Sequence, residues 1–109
     1  QRLVRKICPH CRQSYENPQI VQAFLGENLP LYKGIGCSYC NNTGFKGRTV
    51  LGEVVNITGP HRELIAKGGP LDDFSRVSQK YGFVNIKQMA ISLLKDGITT
   101  IEETMGAMV

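Results

Sequence analysis

The sequence predicts a small α+β fold, with a zinc-knuckle or ribbon hairpin lobe packed with a small C-terminal helical bundle. Three observations point there. The chain holds four cysteines, Cys8, Cys11, Cys37 and Cys40, spaced as two C-x2-C pairs. Around and between these pairs the sequence is rich in turn residues and β-branched runs, the composition of short strands and hairpins. Beyond residue 57, apolar residues recur at helical spacing between cap residues. The expected division is therefore a metal-binding lobe over 1–57 and a helical subdomain over 58–109. A chain of 109 residues supports only a limited core.

The elements follow in order. "RLVRKI", residues 2–7, alternates basic and apolar side chains and reads as a short strand running into the first cysteine pair. "ENPQIVQAFLGE" reads as a short helix, capped by Asn17, with Pro18 in its first turn and Gly26 stopping it. "GCSYCNNTGFKGR" is turn-dominated, hence a hairpin. "RTVLGEVVNI", residues 48–57, reads as a strand despite Gly52. "PHRELIAKGG" and "LDDFSRVSQKYG" are two short helices. "NIKQMAISLLKDG" is a third, with Asn85 and Gln88 as a capping box. Its Ile86, Met89, Ala90, Leu93 and Leu94 form a stripe expected to be core. "TTIEETMGAMV" opens a last helix at Thr100 and Glu103, and its terminal "MGAMV", with methionines expected to be exposed, reads as either a docking patch or a frayed end.

Two chemistries fit "CPHC", residues 8–11: a redox dithiol or half of a metal site. A thioredoxin-like dithiol needs a helix directly after its first cysteine to lower the thiol pKa. Here "RQSYENPQ" follows, and Ser14, Asn17 and Pro18 oppose a helix. That reading also leaves Cys37 and Cys40 without a role. A tetrathiolate site accounts for all four sulfurs, because zinc takes four thiolates in a tetrahedron and each C-x2-C turn supplies two. Such a closed site leaves no open position for water, so its role is structural. Iron fits the same sulfurs, and His10, expected to face solvent, lies between two of them. A reducing compartment follows from this use of cysteine.

Charge is uneven. Residues 1–50 hold seven Lys/Arg against two acids, and residues 51–109 six against seven. A basic half with Lys33, Lys46, Arg48, Tyr32, Tyr39 and Phe45 supports an alternative function, a zinc-ribbon nucleic-acid-binding module. Gly44-Phe-Lys-Gly47 fits a GXXG loop, although that loop normally sits between two helices. No catalytic residues emerge: catalysis is not expected of Glu53, and His61 at a helix start is expected to face solvent. No apolar run approaches the roughly 20 residues of a membrane span.

Read together, four segments resemble the C-terminal region of the type II secretion and type IV pilus assembly ATPases. "QRLVRKICPHC" is similar to the segment where that family's ATPase core ends and its tetracysteine motif begins. "GCSYCNNTGFKGR" is similar to the second half of the motif, with its T-G-x-x-G-R tail. "GRTVLGEVV" resembles the strand after it, with Glu53 at the family's acidic position, and "LLKDGITTIEE" resembles the closing G-x-T-[ST]-x-E-E stretch.

The resemblance implies a hexameric motor that hydrolyses ATP with Mg2+, using a phosphate loop and Walker B-type boxes N-terminal to this region. It implies partners in neighbouring subunits and in the inner-membrane platform, and a cytoplasmic location, peripheral to the bacterial inner membrane. No G-x4-G-K-[ST] run occurs in these 109 residues. The chain is accordingly expected not to be an enzyme by itself. It is expected to carry a structural Zn2+ on Cys8, Cys11, Cys37 and Cys40, to bind no other cofactor, and to transmit ATP-driven motion.

Overall fold

A computed structural model describes residues 1–53 and 55–108. Two short antiparallel sheets and five α-helices make up the described residues, so the chain is α+β as expected. The order is β1 (Arg2–Ile7), β2 (Arg12–Tyr15), α1 (Pro18–Leu25), β3 (Leu31–Gly34), a 3-10 turn at Ser38–Cys40, β4 (Phe45–Leu51), α2 (Gly59–Lys67), α3 (Leu71–Lys80), α4 (Ile86–Lys95) and α5 (Ile101–Met108). Strand β1 pairs with β4, and β2 with β3. Packing divides the chain into two units, residues 1–52 with 86–109 and residues 53–85. This division differs from a boundary after residue 57, because α4 packs on β3 and β4 and α5 on β1, while α2 and α3 pack on each other.

In the larger unit, local sequence rules hold at α1. Asn17 Oδ1 accepts the Ile20 N–H at 3.4 Å, Pro18 occupies the first turn, and Gly26 closes the helix in the left-handed conformation. Its Val21 and Leu25 join Leu31, Leu94 and Ile101 in one buried cluster, each side chain contributing about 1.5–3 kcal/mol by leaving water. The α4 stripe behaves as read from the sequence. Ala90 joins Val4 and Leu51 in a second cluster, with Ile86, Met89 and Leu93 packed against it. Met105 and Met108 are half-buried and pack on these two clusters. They are part of the core margin rather than an exposed end. The expected strand over 48–57 begins earlier and ends at Leu51; Val54 and Val109 lie outside the described residues.

The segment after α4 acts as a substitute strand for β1. Ile7 N–H donates to Ile98 O at 2.8 Å, the Thr99 hydroxyl donates to Arg5 O at 2.7 Å, and Arg5 N–H donates to Glu103 Oε2 at 2.9 Å. Backbone groups of an otherwise open strand edge are thereby satisfied. Thr100 caps α5 by accepting the Glu103 N–H at 3.2 Å. The Glu103 carboxylate does not return to complete a capping box. It takes the Arg5 guanidinium instead, at 2.7 and 3.0 Å.

This ion pair carries a pH prediction. Hydrogen bonds from Arg5 hold the Glu103 carboxyl below its ordinary range, against a smaller opposing effect of burial. A depressed folded pKa contributes stability that is complete above the ordinary glutamate pKa of about 4.3 and decays as pH falls below it. Glu103→Gln should therefore cost about 1 kcal/mol at pH 7, a modest value because the Arg5 side chain is 56% exposed. That difference should shrink towards zero in denaturant melts at progressively lower pH below 4. An equal cost at pH 7 and pH 3 would refute the assignment.

In the smaller unit His61 is fully buried, contrary to the expectation that it faces solvent. Its Nδ1 accepts the Thr58 N–H at 3.1 Å, and its Nε2 lies 2.8 Å from Ser78 Oγ, whose hydroxyl donates to Phe74 O. The Phe74 ring meets it edge-on at 4.7 Å. The imidazole therefore caps α2 and ties it to α3. Sequence periodicity did not indicate this, because the partner is seventeen positions away.

Candidate metal centre

The two cysteine pairs converge because two backbone ribbons hold them. Strand β1 delivers Cys8, and β2 leaves from Cys11. The Ile35 N–H donates to Cys11 O at 3.2 Å, which brings the second pair across from the first. The 3-10 turn then carries Cys37 and Cys40. Asn41 and Asn42 follow with φ of 55° and 62°, a conformation asparagine tolerates better than most residues. Asn42 N–H closes the turn on Cys37 O at 2.8 Å, and Cys8 N–H donates to Gly44 O at 3.0 Å.

All four sulfurs lie within 4.8 Å of one another. Cys8 and Cys37 are 3.7 Å apart, Cys37 and Cys40 3.7 Å, and Cys11 and Cys40 3.9 Å. None is in a disulfide. A zinc–sulfur bond of about 2.3 Å implies a tetrahedron with sulfur–sulfur edges of about 3.8 Å. These three spacings match that edge and the others stay within 4.8 Å, so the four residues expected from the sequence are brought together and are positioned to bind a metal ion. His10 is exposed and stacks on Tyr39 with ring centroids 3.9 Å apart.

Backbone amides address two of the sulfurs. Gly44 N–H and Cys37 N–H donate to Cys40 Sγ at 3.2 and 3.3 Å, and Gly36 N–H donates to Cys11 Sγ at 3.4 Å. Burial raises the Cys40 thiol, but its amide donors outweigh that and bring it down to about 6. Burial dominates at Cys11 and, with the neighbouring sulfurs, pushes it up to about 11 despite the Gly36 amide. Amide donors alone therefore favour the ionised form at Cys40 and not at Cys11. A divalent cation held among the four sulfurs would supply compensating positive charge.

The aromatic groups near this lobe already carry partners. The Arg5 guanidinium lies 4.0 Å from the Phe45 ring centre, Arg12 5.4 Å from that of Tyr32, and Lys33 5.1 Å from that of Tyr15. Lys46 Nζ donates to Tyr39 O at 3.1 Å. The Gly44–Gly47 run enters β4 directly and does not form a loop between two helices, so the GXXG resemblance fails in the structure.

The fold and the cysteine cluster define a small α+β segment with four sulfurs positioned to bind a metal ion, and the sequence comparisons give its family. Residues 1–106 match the family described as Type II/IV secretion system protein, and the chain belongs to that family. It is 33% identical to the type IV pilus assembly ATPase PilB of Pseudomonas aeruginosa, over 94% of this chain and 19% of that protein. It is 31% identical to the type II secretion system ATPase E of Vibrio cholerae, over 96% and 22%. It is 36% identical to the protein transport protein HofB homolog of Escherichia coli, over 94% and 22%. The chain spans about a fifth of the length of these curated relatives. No helix among the described residues is long and apolar enough to cross a membrane.

Proposed function

We propose that this chain is the non-catalytic, C-terminal zinc-binding region of a hexameric secretion or pilus assembly ATPase. Cys8, Cys11, Cys37 and Cys40 hold one structural Zn2+, which fixes the lobe so that it passes on displacements driven by ATP hydrolysis elsewhere in the motor. The observation that carries this reading is the sulfur spacing of 3.7–3.9 Å, in a chain whose relatives are named as assembly and secretion ATPases. A closed four-sulfur site supplies rigidity and no reactive water. A stiff lobe transmits a subdomain rotation that a soft loop would absorb. Neighbouring subunits and inner-membrane platform proteins are the proposed recipients, at the cytoplasmic face of the membrane.

Elemental analysis of the freshly purified, reduced chain tests the metal. About one zinc per chain is expected, with a colourless solution, and stoichiometric iron with visible thiolate absorption would overturn the zinc assignment. The nucleic-acid alternative is disfavoured because the Tyr32, Tyr39 and Phe45 rings each have one face occupied by an internal partner. Filter binding to DNA and RNA across a salt series separates the two. Micromolar affinity with a steep salt slope would favour nucleic acid.

A further inference from the structure

The four sulfurs are not equivalent. Cys8, Cys11 and Cys40 are buried, whereas Cys37 is half-exposed. Cys40 accepts two backbone N–H groups and Cys11 one, and each such bond withdraws charge from the sulfur and occupies a lone pair. An electrophile from solvent reacts first at the sulfur it can reach. Of the four, Cys37 is the one that is not buried.

Resting on the metal-centre reading above, we propose that Cys37 is a peroxide-reactive corner of the cluster, and that its oxidation leads to a Cys8–Cys37 disulfide with release of the metal. The Cys37 thiolate attacks a hydroperoxide; an S–O bond forms, the O–O bond breaks, and hydroxide leaves from hydrogen peroxide. The resulting sulfenic acid is attacked at sulfur by the Cys8 thiolate, a second hydroxide leaves, and the S–S bond forms. Two thiolates lose two electrons, and one peroxide gains them. The metal loses two of its four ligands and departs as Zn2+. Cys8 lies 3.7 Å from Cys37, so closure to the S–S length of about 2.05 Å requires less than 2 Å of approach. Cys40 is equally near at 3.7 Å, but its lone pairs are committed to the Gly44 and Cys37 amides, which leaves Cys8 as the freer nucleophile. The disulfide would join β1 to the second knuckle and is reversible by a dithiol.

The test uses the whole 109-residue chain, its zinc content measured first. It is titrated with hydrogen peroxide alongside a chromophoric zinc chelator and a dimedone-type sulfenic acid trap, followed by peptide mass spectrometry. The expected result is a first adduct on Cys37, a Cys8–Cys37 disulfide without the trap, zinc release in step with it, and recovery on adding dithiothreitol and zinc. Cys37→His, which keeps a zinc ligand, should slow peroxide-driven release about tenfold or more. First adducts on another cysteine, equal labelling of all four, or a Cys37–Cys40 disulfide would overturn the proposal. If the purified chain holds no metal, the zinc reading fails separately. The order of trapping on the folded metal-free protein still decides which sulfur reacts, and if Cys37→His does not fold, adduct mapping on the unaltered chain decides it too.

Discussion

Cys40→Ser is expected to empty the metal centre and unfold much of the lobe around it. Cys40 is the most engaged of the four sulfurs: two amides donate to it, and two further sulfurs lie within 3.9 Å. Those donors favour its ionised form, so at neutral pH it is ready to bind a cation. A serine hydroxyl in its place stays neutral and leaves three thiolates for the metal. Apparent binding energies for structural zinc are on the order of 10 kcal/mol. Among the described residues, the buried cluster at the sulfurs consists of Cys8, Cys11 and Cys40 themselves, with Cys37 packed against it. Metal content should therefore fall from about one to near zero per chain, and denaturant melts should lose several kcal/mol. Cys37→Ser should be milder, because its sulfur is half-exposed, whereas that of Cys40 is buried and takes two amides. A reversed order, with Cys37→Ser the more damaging, would remove the amide argument.

How much of this was legible in the sequence depends on whether a signal was local. The C-x2-C pairs, the Asn17 and Thr100 caps, and the Ile86–Leu94 stripe are encoded within a few residues, and they stand where expected. Strands β2 and β3 escaped because "RQSY" and "LYKG" carry no period-two apolar pattern. They pair only because the two knuckles hold their ends together. His61 escaped for a related reason: a polar residue on a short helix reads as solvent-facing until Ser78 supplies its partner. Glu103 was read as a local cap, and its nearest strong partner is Arg5, ninety-eight positions away. That distant bond accounts physically for an acid at the end of the "GITTIEE" stretch.

The same contrast between local and distant causes separates the amide-supported sulfurs from the rest of the cluster. Cys40 depends on Gly44, and Gly44 depends on the chain crossing it. The metal would set the final geometry, but the crossing of the two ribbons determines whether four sulfurs meet at all.

Gly44→Ala should test that crossing with an effect of about 3 kcal/mol or more, from a strained left-handed backbone together with overpacking. Gly44 has φ of +81°, and a Cβ there would sit 2.5 Å from Gly34 O. A Cβ at Gly34 would sit 2.1 Å from Gly44 O. Both clashes are with backbone, so neither is relieved by turning a side chain. Moving the strands apart would stretch the Cys8 N–H bond to Gly44 O and the Gly44 N–H bond to Cys40 Sγ together, which weakens zinc binding as well as folding. Gly47→Ala is the control. Its φ is +82°, nearly the same, but the nearest group to a Cβ is the Lys6 side chain at 3.8 Å. It should cost only the backbone strain, about 1 kcal/mol. Denaturant melts of the zinc-loaded variants, with chelator competition for affinity, measure both effects. Equal losses at the two positions would show that backbone strain alone acts, and that the close approach of the two ribbons does not hold the metal centre together.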